Sequence, residues 1–344
     1  MELKKFEDIV SLQRGYDFPE KDRIIGTFPL VSSNGIFHFV KESKCKGPGV
    51  VTGRSGTIGN VFYVEDDYWP LNTTLFVKDF HNNNPKYISY WLSTFPLAKY
   101  ANGASVPTLN RNELTGIICK VHNIKEQQHI VNTIGSVDDL IESNANFISK
   151  FQQYLSQIYK LYCLDINYEV ELNSLIVRTG KTLKNKEWFG SNVLDLSTMP
   201  NNNIFINDFS CGENFTTNIK TLNNLDLVYG SIRPYFKKAG FALDVDYIAG
   251  SVYSFMPLDE KNYLWLLACI CSDDFHLFTS SNSQGTKMPI INWDTFSSFK
   301  IRYDSKIIHE FNKQVQPLFD LCVIKAREIR RLKAIKEKLL SKYF

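Results

Sequence analysis

Three groups of residues in this 344-residue chain could carry chemistry: a glycine-rich turn, scattered histidines and cysteines, and basic and amide side chains gathered in turns. Gly53-Arg-Ser-Gly-Thr-Ile-Gly59 has the glycine content of a phosphate-binding loop. No Lys-Ser/Thr pair follows it, so it is not a nucleotide-binding P-loop. Its spacing and the strand-like run after it also exclude a dinucleotide fingerprint. The six histidines, at 38, 81, 122, 129, 276 and 309, are isolated and lack metal-ligand spacing. The seven cysteines are Cys45, Cys119, Cys163, Cys211, Cys269, Cys271 and Cys322. Their number is odd and no Cys-x-x-Cys occurs, which argues against a disulfide framework or a zinc site and fits a reducing cytosol. No catalytic residues and no metal site are expected.

The third group is richer. Lys44, Lys46, Arg54, Ser55, Thr57, Asn72, Thr73 and Ser105 lie in turns of the first half, with Lys41 and Thr74 beside them. Ser231, Arg233, Lys237, Lys238, Gln284, Thr286 and Lys287 lie in turns of the second half, with Ser283. Arg and Lys suit guanine edges and phosphates, Asn and Gln suit adenine edges, and Ser and Thr suit either. Taken singly, such residues are ordinary solvated turn residues. As sets they fall at equivalent places in the two halves, which favours a shared binding role. A net charge of +3 neither demands nor excludes a nucleic-acid partner. Asn84-Pro85-Lys86-Tyr87 resembles the Asn-Pro-Pro-Tyr motif of DNA adenine methyltransferases but lacks its second proline, so methyl transfer by this chain is not expected.

The elements that must position these turns form a repeat. Residues 1–124 read as a β-rich domain with strand-like runs FPLVSS, PGVVTG, GNVFYVE and NTTLFVKD between Gly, Asn and Asp turns. Residues 125–163 read as one long helix. Ile130, Ile134, Val137, Ile141, Asn144, Ile148, Phe151, Leu155, Ile158 and Tyr162 are spaced alternately four and three apart, the seam of a coiled coil. At ~1.5 Å per residue it is roughly 55 Å long. Residues 164–305 read as a second β-rich domain and 306–344 as a second long helix. Phe311, Val315, Leu318, Cys322, Ile329, Leu332, Leu339 and Tyr343 form its seam, Lys325 and Lys336 fall on that seam, and Pro317 should kink or delay it. Gly-x-x-x-Pro-x-x-Asn occurs at Gly103, Pro107, Asn110 and again at Gly285, Pro289, Asn292, an offset of 182 that also carries Leu114 to Phe296 and Asp138 to Asp320. LNSLIVRTG (172–180) likewise resembles FEDIVSLQRG (6–15). The expected fold is α+β: two mixed, β-rich domains and two long helices paired as an antiparallel coiled coil, with pseudo-two-fold symmetry. From Lys325 onward the second helix is strongly basic, a face that is either solvated or reserved for a partner subunit or phosphates. The longest apolar run, Tyr263 to Cys271, is too short to cross a membrane, and the charged start MELKKFEDIV is unlike a signal peptide.

This duplicated order of domain and helix resembles the DNA-specificity (S) subunit of type I restriction-modification systems. The residues that carry the resemblance are Phe6-Glu-Asp-Ile-Val-x-Leu-x-x-Gly15, the Gly53–Gly59 turn and Trp69-Pro-Leu-Asn-Thr-Thr74. To these are added both Gly-x-x-x-Pro-x-x-Asn segments, Gln127, Gln128, Ile130 and Asp138 in the first helix, and Glu328-Ile-x-x-Leu332 with Lys338-Leu-Leu340 in the second. The resemblance implies two target-recognition domains, each reading one half of a bipartite site in double-stranded DNA, spaced by the helices. It implies a non-catalytic cytoplasmic subunit on which methyltransferase and restriction subunits assemble. S-adenosylmethionine, ATP and Mg would then belong to those partners and no cofactor to this chain. The other assemblies open to such a chain are a type II system with a fused methyltransferase-nuclease, and a coiled-coil adaptor that binds no DNA. Two departures stand out: the chain is short for a two-domain member, and Gly230-Ser-Ile-Arg-Pro stands where the second half should carry the Gly-Thr-Ile-Gly turn.

Overall fold

The computed structural model describes residues 1–103, 107–184, 186–206, 208–216 and 218–344. The chain forms two compact units, one of residues 1–139 with 333–344 and one of residues 140–332.

Unit one is built on a four-stranded antiparallel sheet in the order Ser11–Arg14, Thr74–Asp79, Gly49–Gly53, Val61–Val64. The strand Gly49–Gly53 is buried throughout because successive side chains face opposite layers. Val50 packs into the main core, which holds Phe6, Leu75, Tyr87 and Trp91, while Val51 joins Val31, Val64, Tyr68 and Phe76. A second sheet pairs Gly35–Val40, Ile25–Ser32 and Trp69–Pro70. The helix Pro85–Thr94 covers the first sheet. Asn84 caps it by accepting from the Lys86 and Tyr87 N–H groups, and Pro85 takes the first helical position. The Asn-Pro-Lys-Tyr sequence is thus a helix start.

Unit two repeats the plan. Its main sheet runs Ile176–Arg178, Val252–Pro257, Leu227–Gly230, Ala239–Phe241, the same order with the same antiparallel pairings. Its second sheet has four strands, Ser210–Cys211, Asn192–Leu194, Tyr247–Ala249 and Ile219–Thr221, where unit one has three. In unit one Glu2–Lys5 pairs with Ile118–Val121, and in unit two Glu169–Glu171 pairs with Lys300–Arg302. The Trp91 indole donates to the Lys120 carbonyl (3.1 Å), and Trp265 donates to Arg302 in the same way (2.9 Å).

Two long helices complete both units, Ile124–Cys163 and Ser305–Tyr343. In unit two their segments run antiparallel: Tyr154 and Tyr162 both meet Gln314, Phe151 meets Phe319, and Asn144 donates to Glu328 (3.0 Å). In unit one Lys336 pairs with Asp138 (2.7 Å) and Tyr343 meets His129. The buried stripe is wider than a coiled-coil seam because the helices also cover the domain cores. Tyr159 is buried where Ile158 was expected to be, and Phe319 and Ala326 where Leu318 and Lys325 were. A 3.6-residue helix drifts across a 3.5-residue pattern in just this sense.

Pro317 corrects the expectation of a delay, since the helix runs from Ser305 and continues through it. The proline lies on the solvent face, where the Lys313 carbonyl it frees can be hydrated. The two seam lysines are also accounted for. Lys325 pairs with Glu328 (3.0 Å), and Lys336, besides Asp138, lies 5.6 Å from the Tyr90 ring. Buried Asn144 meets the same Glu328, so the polar break in the seam is satisfied across the helix pair.

Candidate nucleic-acid interface

The Gly53–Gly59 turn closes tightly on itself. A Cβ on Gly53 would fall 1.8 Å from the Thr57 carbonyl oxygen, so only glycine fits. The Arg54 and Ser55 N–H groups both donate to the Thr73 carbonyl (2.9 and 3.2 Å), and the Arg54 guanidinium donates to the Asn72 carbonyl (3.3 Å). From the other side the Leu109 N–H donates to the Arg54 carbonyl (2.8 Å). Backbone contacts therefore bring Arg54, Ser55, Asn72 and Thr73 together beside the segment that ends the Gly-x-x-x-Pro-x-x-Asn motif. Of these, Arg54 lines an open cleft of ≈ 800 Å³. Its basic lining is Arg14, Arg54, Lys78 and Arg111, and its one carboxylate, Asp17, is hydrogen-bonded by Asn72. Arg14 and Lys78 form no ion pair among the described residues. Such a cleft suits a polyanion.

The remaining unit-one candidates are dispersed. Lys44 is exposed, with its ammonium 5.5 Å from the Tyr16 ring and 5.9 Å from the Trp69 ring. Lys46 is bound to Asp67 (2.7 Å), whose carboxyl is held below its ordinary range first by that hydrogen bond. The Thr57 hydroxyl donates to the Asn34 side chain. Ser105 lies outside the described residues.

Unit two builds the same junction with other side chains. The Ile291 N–H donates to the Ser231 carbonyl (3.0 Å), as Leu109 does to Arg54. Ile232 bridges Ile290 as Ser55 bridges Thr108. Gly230-Ser231-Ile232 is therefore the structural counterpart of Gly53-Arg54-Ser55. The Arg233 N–H donates to Pro289 (2.7 Å), and Gln284 and Ile290 exchange backbone hydrogen bonds (2.9 and 2.8 Å). Arg233, Gln284, Thr286 and Lys287 are consequently presented together and exposed, beside exposed Tyr235, Met288 and Ile290.

Three predicted residues do not join that surface. Ser231 is only 4% exposed and its hydroxyl donates to the Ser251 carbonyl (2.7 Å), because it occupies the inside of the junction. Lys237 pairs with Asp273 (2.9 Å), which hydrogen bonds from Lys237 and then Lys160 hold down at about 2. Lys238 is half-buried against the Leu196 carbonyl, and burial pushes its ammonium below the usual range. The cleft residues Gln13, Arg14, Lys78 and Arg111 were missed from sequence. Arg14 stands beside Gly15 in a segment that repeats in the second half, and this was the available signal. Of the basic helix face, Arg327 and Arg330 are engaged with Asp244 inside unit two. Arg331, Lys333, Lys338 and Lys342 have no ion pair among the described residues.

A family model described as the type I restriction modification DNA specificity domain matches residues 1–152. In fold the chain is similar over its whole length to the type I restriction-modification system S subunit from M. genitalium, with a TM-score of 0.63 at 14% identity, covering 100% of this chain and 96% of that one. Two further structures match at TM-scores too low to argue from. One, on complex assembly and conformational transition of the type I R-M system, gives 0.37 at 12% identity over 99% and 96% of the two chains. The other, the HsdS subunit from Thermoanaerobacter tengcongensis, gives 0.35 at 12% over 99% and 95%. No individually characterised protein matches in sequence. The chain as a whole has the fold of the M. genitalium S subunit, and the two chains match over nearly the full length of both.

Proposed function

We propose that this chain is the DNA-specificity subunit of a type I restriction-modification complex. It binds double-stranded DNA through both units, each reading one half of a bipartite target, and it catalyses nothing itself. The observation that carries this reading is the duplicated junction. In each half the end of a central strand is locked to the segment after the Gly-x-x-x-Pro motif by the same backbone hydrogen bond, from Leu109 to Arg54 and from Ile291 to Ser231. Around it unit one sets Arg54 with the cleft cations and Ser55 and Asn72 beside them, the Thr73 hydroxyl being buried, and unit two sets Arg233, Gln284, Thr286 and Lys287. Arginines there supply bidentate donors to guanine or phosphate, and the amides read adenine edges.

Methyltransferase and restriction subunits assemble on the chain and bring S-adenosylmethionine, ATP and Mg, with the unpaired cations of the second long helix as one docking face. The site of action is the cytoplasm, where the DNA is; among the described residues no helix is long and apolar enough to cross a membrane. Helix length fixes the gap between half-sites, so adding one turn to both long helices lengthens that gap, and an unchanged gap rejects this role. The reading as a whole is tested by DNA binding of the chain co-expressed with its methyltransferase partner. Salt-sensitive binding that prefers one sequence supports it. Binding indifferent to sequence, or none, rejects it.

A further inference from the structure

Unit two carries a pair of cations outside the loops described above. Arg178 ends the edge strand of the main sheet, and its guanidinium lies 5.1 Å from the Tyr253 ring centroid and 5.0 Å from that of Trp293. Those rings are nearly perpendicular, at 86° with centroids 5.3 Å apart, so the guanidinium is seated in a corner between them. The Tyr253 hydroxyl donates to the Ile291 carbonyl (2.7 Å), which fixes that wall of the corner. Arg178 is nevertheless exposed, and its side chain has no acceptor among the described residues. The chain then turns at Gly180, with φ of +85°, and passes so close to Lys220 that a Cβ on Gly180 would stand 3.4 Å from the Lys220 Cβ. Half-buried Lys220 also has no ion pair among the described residues. Its ammonium is held below the ordinary range, first by burial and then by the charge of Arg178.

A half-buried ammonium beside the turn that follows Arg178, and feeling its positive charge, is unfavourable without an anion to share. Rings that hold a guanidinium by its face leave its N–H edge free to donate. The position within the unit is informative too. Trp293 is the counterpart of Arg111 at the motif offset of 182, and Ile176–Arg178 takes the place of Ser11–Arg14 in the sheet order. Arg111 and Arg14 both line the basic cleft of unit one. Unit two therefore supplies cations to the corresponding region from different sequence positions.

We propose that Arg178 and Lys220 form a clasp for one backbone phosphate of the DNA bound by unit two. The planar guanidinium gives a bidentate contact and the ammonium a point charge to the same group. The proposal rests on the DNA-specificity reading above, and it assigns these residues to positioning the duplex rather than to reading bases.

The test uses the full chain co-expressed with its methyltransferase partner. DNA affinity is measured between about 50 and 200 mM salt for wild type, Arg178→Gln, Lys220→Gln and Arg178→Lys, on target and unrelated duplexes. Loss of one phosphate contact lowers the log–log salt slope by about 0.9. Arg178→Gln and Lys220→Gln should each weaken binding to both duplexes and reduce the slope by up to that amount, while Arg178→Lys keeps most of it and the methylated motif is unchanged. If Arg178→Gln fails to fold, Lys220→Gln carries the same prediction from the other side of the clasp. Unchanged slopes overturn the clasp, as does a loss confined to the target duplex, which would make Arg178 a base reader. A wild-type complex without salt-sensitive DNA binding rejects the specificity reading itself, and the clasp with it.

Discussion

His276 offers a sharp test of how the core of unit two is held. It lies in the helix Asp273–Ser281, only 3% exposed, with Nδ1 3.3 Å from the Tyr229 hydroxyl, which is itself 2.6 Å from the Thr279 hydroxyl. Burial, and secondarily the Lys237 charge, push the imidazole down to about 4, with Asp273 opposing. An unfolded histidine titrates near 6.5, so the folded state disfavours the proton by about 3 kcal/mol. Because the folded value is the lower one, this stability is fully present above pH ~6.5 and is lost as pH falls from there to ~4, about 2 kcal/mol of it by pH ~4.5. The Asp273 carboxylate, held at about 2, loses its contribution only at lower pH, from its ordinary value near 3.8 downward, so it does not share most of that window. Urea unfolding of wild type and His276→Gln at pH 7, 5.5 and 4.5 isolates the term. The wild-type advantage should shrink by about 2 kcal/mol between pH 7 and 4.5. Parallel stability curves would refute the account of His276 as a neutral core residue.

Three further outcomes follow from the duplicated junction. Leu114→Ala and Phe296→Ala remove fully buried side chains at equivalent positions and should cost about 2–5 and 3–5 kcal/mol in denaturant unfolding; a near-neutral result at either site would contradict its place in the core. Gly53→Ala drives a Cβ into the Thr57 backbone and should abolish DNA binding, whereas Gly59→Ala meets open space, bears only the strain of its positive φ at about 1 kcal/mol, and should bind; equal behaviour of the two in a binding titration would count against the turn as a shaped element. Arg54→Ala should weaken DNA binding by about 1–3 kcal/mol, while Lys46→Ala, which removes a lysine already paired with Asp67, should change it little.

The architecture was legible in the sequence because it is written twice. The offset of 182 survives as hydrogen bonds: Asn110 and Asn292 each cap a helical turn, Gly103 and Gly285 each take a positive φ (115° and 103°), and Leu114 and Phe296 are both fully buried. The long helices were legible from apolar spacing alone. Their buried faces were less so, because Tyr159, Phe319 and Ala326 are buried by the domain cores as well as by the partner helix, and periodicity does not report a second neighbour. The site was only partly legible. Turn composition picked out Arg54 and Arg233 but gave no sign that Ser231 points inward or that Lys46 and Lys237 have acidic partners 21 and 36 residues away. Arg14, Lys78 and Arg111 come from a strand end and a motif flank and meet only when the sheet forms. The counterpart of the Gly-rich turn in the second half was hidden for the same reason. Backbone hydrogen bonds, not residue types, equate Gly230-Ser231-Ile232 with Gly53-Arg54-Ser55.

The central claim is that one chain brings two reading units to one DNA. It is tested most directly by co-expressing the chain with its co-encoded methyltransferase and mapping the methylated sequence across a genome. The account predicts a bipartite motif, two short specified blocks separated by a fixed gap of unspecified bases, with one block altered by changes at Arg54 and the other by changes at Arg233. A single continuous motif, or no sequence-specific methylation, would contradict it.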